Sequence, residues 1–171
     1  MSHPHRMLVI IGCTALCAAA RAASVPAPTK FLATALQDGM AEIALCQLAL
    51  QKSSNPAVRG FAERMIQDHS SIDDAITRLA RSKHFRLPDS VNLKQKATYD
   101  LLKARSGAGF DQTFMKHNVS DHEQDIKDFT EEAEAGSDAD VKSFASTTLK
   151  TLQGHFELSR KVNLEIETAG K

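Results

Sequence analysis

Apolar residues recur at intervals of three and four through four long stretches of this chain, and no stretch alternates with period two for long enough to be a strand. Between about Pro56 and Lys83 they are Val58, Phe61, Met65, Ile72, Ile76 and Leu79. Between about Phe110 and Gly136 they are Phe114, Val119, Ile126 and Phe129. From Ser137 to Thr168 they are Val141, Phe144, Leu149, Leu152, Phe156 and Val162. Each pattern paints one oily stripe along a helix, so the chain has to fold by packing helices stripe to stripe. An all-α fold is expected. A transmembrane barrel is excluded, because it needs repeated alternating segments of about ten residues.

Turn residues divide the chain. Residues 23–29, with Pro26 and Pro28, read as a flexible tether whose Thr29 can cap the first helix, Lys30 to Lys52. Ser53-Ser54-Asn55-Pro56 ends that helix, and Asn55 with Pro56 suits the cap and first turn of the second, which runs to Lys83. Leu87-Pro88-Asp89 precedes a shorter helix, Val91 to Arg105. Ser106-Gly107-Ala108-Gly109 then leads to a helix starting near Phe110-Asp111 and stopping at Gly136, the residue type favoured after a helix end. The last helix opens at Ser137-Asp138 and runs to Thr168. Two tight-turned hairpins joined by the long connection 84–109 make residues 30–168 a ferritin-like four-helix bundle, with a short extra helix in the crossover.

The front of the chain reads differently. Met1 to Arg6 is short and basic, Met7 to Ala20 is almost wholly apolar, and Ala20-Arg21-Ala22 has the small-x-small form of a cleavage site. Residues 1–22 are expected to be a signal peptide, cut near Ala22, which would leave the mature chain periplasmic or secreted. The apolar run falls short of the roughly twenty residues a membrane-spanning helix needs. Ile10-Ile11-Gly12-Cys13 looks like a lipobox, but the apolar run continues past Cys13, which favours cleavage over lipid anchoring. Removing residues 1–22 takes away Arg6 and Arg21 and no acid, so 21 basic residues become 19 against 21 acidic ones. That balance, −2, argues against a nucleic-acid partner, whose binders carry a basic patch. No transmembrane segment remains after the cut, a homodimer is allowed, and the sequence names no protein partner. Cys46 would be the only cysteine left, so no intrachain disulfide can support the fold.

Four polar residues break the oily stripes. Glu42, His69, His122 and His155 each fall inside the apolar face of a separate long helix when positions advance by about 100°. Counted from the two hairpin turns they sit about twelve to eighteen residues along, so a rise of about 1.5 Å per residue puts them near one depth. Buried polar groups cost free energy unless something satisfies them. A shared layer holding a metal or a proton answers that cost; a hydrogen-bonded structural core is the other answer.

The pieces Glu42-Ile43-Ala44-Leu45-Cys46-Gln47-Leu48-Ala49, Asn55-Pro56-Ala57-Val58, Phe61-Ala62 and Asp68-His69 are followed by Ser106-Gly107-Ala108-Gly109-Phe110-Asp111, Asp121-His122 and Leu152-Gln153-Gly154-His155. In that order and spacing the chain resembles an exported bacterial family of unknown function with a ferritin-like fold, whose members often carry an outer-membrane-protein label. The resemblance covers about residues 31–165 and implies the fold and export; it brings little chemistry. Ferritin-like di-iron sites use Glu-x-x-His pairs. Here Ile66, Val119 and Leu152 stand three residues before the histidines, so no di-iron centre is expected. One carboxylate and three imidazoles suit a single Zn, Cu or Fe ion. Cys46, one turn after Glu42 where the family tends to have glycine, is a candidate soft ligand. Asp73 and Asp125 are candidates to orient the imidazoles or to add a ligand. Asp68 and Asp121 project about 100° away from their neighbouring histidines and read as surface or capping residues. His84 and His117 read as exposed.

Nothing marks a hydrolase: the chain has no nucleophile elbow and no phosphate-binding glycine loop, and Gly107 and Gly109 read as a helix start. Metal binding without catalysis therefore leads. A metal-dependent oxidoreductase acting on oxygen species would need an open coordination position. A structural or interaction module of the cell envelope is the third reading.

Overall fold

The computed structural model describes residues 28–169, all of whose regular structure is α-helical. The elements are α1 (Pro28–Lys52), α2 (Pro56–Ser82), α3 (Leu93–Lys103), α4 (Gly107–Ala135) and α5 (Ala139–Ala169). The signal-peptide reading and the tether up to residue 27 lie outside the described residues.

Local chemistry sets the ends. Asn55 accepts from the Ala57 and Val58 amides at 2.9 and 3.4 Å, with Pro56 in the first turn of α2. Asn92 and Gln95 close a reciprocal capping box, so α3 begins at Leu93 rather than at Val91. Asp138 caps α5 by accepting from the Asp140 and Val141 amides at 3.0 and 3.1 Å. Pro28 and Thr29 already belong to the first turn of α1, where a proline's missing N–H is no loss. α4 starts three residues before Phe110, because the Phe110 amide already bonds the Ser106 carbonyl at 3.2 Å. Gly107 takes a positive φ of 54° there, a conformation open to glycine at no steric cost.

α1 packs along α2 and α4 along α5, and α3 lies in the crossover against α1 and α4. The result is an all-α ferritin-like bundle of two hairpins. Its apolar core comes in two parts. One holds Leu45, Ala49, Val58, Phe61, Met65, Phe114, Met115 and Val162, at the end of the α1–α2 turn. The other holds Phe31, Leu32, Leu36, Ile76, Phe129, Val141, Ala145 and Leu152, at the α4–α5 turn. On every long helix the two parts are separated by the same position in depth: Glu42 on α1, His69 on α2, His122 on α4 and His155 on α5. A polar layer thus divides the bundle at its middle.

Candidate metal centre

Helical register carries all four residues inward. Their relative exposures are 2% for Glu42, 3% for His69, 0% for His122 and 2% for His155. The imidazole centroids of His69, His122 and His155 stand 5.1–5.7 Å apart, so the three rings share one layer. Glu42 reaches into it from α1, with Oε2 at 2.8 Å from His69 Nε2 and Oε1 at 3.4 Å from His122 Nε2.

These contacts are close, but they do not satisfy the atoms. Both Glu42 oxygens, His69 Nε2, His122 Nε2 and His155 Nδ1 are buried without a directed hydrogen bond. Leaving a buried polar atom unpartnered costs about 1–3 kcal/mol. Five such atoms converge in one layer, two of them, His69 Nε2 and Glu42 Oε2, close enough to share a proton.

The outer ring nitrogens explain which inner ones are free. His122 Nδ1 lies 2.9 Å from the Asn118 carbonyl, which can only accept, so Nδ1 carries a proton and Nε2 is the nitrogen turned toward Glu42. A proton or a metal ion between Nε2 and the carboxylate would bond to both. His155 Nε2 meets Asp68 Oδ2 at 2.9 Å, which leaves Nδ1 as its second, unpartnered nitrogen. Asp68 is in turn held by Arg64 Nε. A carboxylate or carbonyl behind a histidine ring fixes its orientation and raises its basicity as a ligand.

The electrostatics are those of a crowded acid–imidazole cluster. Burial works to raise the Glu42 carboxyl, but the imidazoles of His122 and His69 outweigh it and hold the group down at about 2. Burial disfavours the His69 cation, yet Glu42 more than offsets this and raises it. For His155 burial wins: with His69 and His122 adding repulsion, it is pushed down to about 4 despite the Asp68 bond. Around them burial also raises the neighbouring acids. Asp38 and Asp73 reach about 7, and Asp125, with Glu42 and Asp121 adding to the effect of burial, goes well above the usual carboxylate range.

The donor atoms of His69, His122 and His155 all lie within 4.8 Å of one another, and so do those of Glu42, His122 and Asp125. A tetrahedral ion with bonds of about 2.1 Å has donors about 3.4 Å apart, so inward shifts of up to about an ångström would close such a site. The residues fit a transition-metal ion: borderline nitrogen donors, one carboxylate and unpartnered atoms that converge.

The other candidates fall in three places. Asp125 is buried on α4 beside Glu42 and His122. Asp73 lies on α2 against Gly39, where a Cβ would collide with its carboxylate. Cys46 belongs to the apolar cluster at the α1–α2 turn, its thiol raised by burial, and is in neither group of converging donors among the described residues. His84 is exposed and His117 half-buried, 4.0 Å from Asp121. Asp68 is the residue that sequence reasoning missed. It projects about 100° from His69 around α2, and that direction is where α5 delivers His155; the pairing of α2 with α5 was the needed signal.

The same fold recurs in solved structures of low sequence identity. A DUF305 fragment from Deinococcus radiodurans superposes with a TM-score of 0.73 at 14% identity, covering 82% of this chain and 97% of that one. CopM in its Cu(II)-bound form gives 0.70 at 12% identity over 83% and 99%. A conserved hypothetical protein from Mycobacterium tuberculosis gives 0.60 at 17% identity over 80% and 89%. No curated protein matches the sequence. A family match spans residues 13–162, and the chain belongs to that family, described as Domain of unknown function (DUF4142).

Proposed function

We propose that this chain is an exported helical-bundle protein that holds one transition-metal ion as cargo, through Glu42, His69, His122 and His155. The observation that carries this reading is the set of buried, unpartnered atoms in a single layer: two carboxylate oxygens and three imidazole nitrogens. An ion bonded by them removes several desolvation penalties at once, which a neutral hydrogen-bonded core in this arrangement does not. The Cu(II)-bound form of CopM, a structural neighbour, is consistent with metal handling on this fold. With thiolate absent from the converging donors, the set favours Cu(II) or Zn(II) over Cu(I).

Holding is favoured over turnover because all four residues are at most 3% exposed, and catalysis needs a coordination position open to substrate. Export rests on the leader-like residues 1–22. No helix among the described residues is long and apolar enough to cross a membrane. Metal analysis of the chain purified from its own compartment tests the proposal: one ion per chain is expected, with His122→Ala losing it. The mass of the exported protein should correspond to a start at Ala23. A retained residue 1–22 segment would remove the export part of the reading while leaving the metal part standing.

A further inference from the structure

The polar layer is approached from two sides, one lined mainly by acidic residues and one by basic residues. Between α1 and α4 a cleft of about 220 Å³ is lined by Lys30, Thr34, Asp38, Asp125, Asp128 and Glu131, four acids against one base. Behind it a void of about 10 Å³ touches Asp38, Gly39, Asp125, Glu42 and His69. That is about the room of one water molecule. Asp38 and Asp125 line both spaces, so the void that touches Glu42 lies directly behind the cleft. On the far side a depression reaches His155 between Arg64 and Lys150, which repel a cation.

Where the acidic approach ends, Glu42, His122 and Asp125 bring their donor atoms within 4.8 Å of one another. Asp125 is only 8% exposed, and Glu42, at 2%, borders the void with both oxygens unpartnered. His122 is common to this group and to the three-imidazole group, and Glu42 lies against both His122 and His69. Asp125 lines the surface cleft, Glu42 and His69 line only the void behind it, and His155 lines neither, so the two overlapping donor sets differ in depth from this face.

We infer that Glu42, His122 and Asp125 form a second, outer position for a divalent cation, reached through the acidic α1–α4 cleft, from which the ion passes to the imidazoles of His69 and His155. This inference rests on the metal-holding reading of the four-residue layer. Glu42 and His122 stay bonded through the transfer while Asp125 is exchanged for the other imidazoles, so the ion is never stripped of all its protein ligands. Acidic walls such as those given by Asp128 and Glu131 raise the local cation concentration and speed capture, an effect that spans about ten- to a thousandfold in charged clefts.

Stopped-flow uptake of Zn²⁺ from a weak chromophoric chelator, using the metal-free full chain, tests the inference. Asp125→Asn, close to isosteric but without a carboxylate to bond the cation, is expected to slow association and dissociation alike by about tenfold, with affinity within about twofold of wild type. Asp38→Asn should slow association less, and Lys150→Gln should leave it unchanged. In His155→Ala, which lacks an inner ligand, Zn²⁺ should still bind weakly, and adding Asp125→Asn should abolish that residue of binding. An unchanged association rate in Asp125→Asn overturns the outer position. A loss of affinity at an unchanged association rate makes Asp125 a resident ligand and overturns it as well. Equal slowing by Lys150→Gln overturns the route. A wild-type chain that takes up no Zn²⁺ would instead sink the metal-holding reading itself, and this inference with it.

Discussion

At the residue scale, His122 is held by a backbone carbonyl at one ring nitrogen and faces a carboxylate at the other, with no exposure to water. His122→Ala removes the donor shared by both groups and should lower Zn²⁺ or Cu²⁺ affinity at least about a hundredfold by isothermal titration, the upper end of what ligand-shell changes cost. Asp68→Asn, which weakens the acceptor behind His155, should lower affinity by about ten- to a hundredfold without changing stoichiometry. Asp38 provides a test that needs no metal. Burial, with Asp121 adding repulsion, raises its pKa from 3.8 to about 7, so between those values the folded chain holds a proton that the unfolded chain has released. Stability from this group is therefore present below about pH 4 and lost as pH rises through 7. Asp38→Asn, which can still pair with Gln95 Nε2, should gain stability over wild type progressively from pH 4 to 7 and hold that gain above. Denaturant melts across that range would show it, and a gain that shrinks with rising pH would contradict the assignment.

At the element scale, helix packing separates positions one turn apart. Glu42 lies in the polar layer, whereas Cys46, four residues on, lies in the apolar cluster with Phe61 and Met65. Cys46→Ser should leave metal affinity within about twofold and cost about 1–3 kcal/mol by denaturant unfolding, because a hydroxyl enters an apolar site. Weakened binding would mean that the thiol does reach the ion. Gly39→Ala should destabilise despite alanine's better helix propensity, by about 1–3 kcal/mol, since its Cβ runs into the Asp73 carboxylate. The helices and the inward direction of Glu42, His69, His122 and His155 were legible in the sequence because both follow from a fixed rotation per residue. The contact of Asp68 with His155 and the joining of Asp38 and Asp125 at one cleft were not. They depend on which helices lie side by side, and apolar periodicity is silent on that. Helix ends fell two or three residues from their expected places at α1, α3, α4 and α5, since a cap is decided by a single side-chain hydrogen bond or backbone turn.

At the scale of the whole molecule, the bundle has two apolar halves joined by a polar layer whose buried atoms lack directed hydrogen bonds. An ion that bonds the layer binds only the folded chain, so binding and stability are linked. At a free concentration about a hundred times the dissociation constant, the gain is about 2.7 kcal/mol. For a chain of this length each kcal/mol moves Tm by about 2–4 °C, so a rise of roughly 5–10 °C is expected. The most direct test is a thermal melt of the metal-free chain titrated with Zn²⁺, Cu²⁺ or Fe²⁺, with bound metal counted per chain at saturation. One ion per chain and that rise are expected for at least one of the three, both lost in His122→Ala. No stoichiometric uptake and an unmoved Tm with all three would contradict the metal-holding reading.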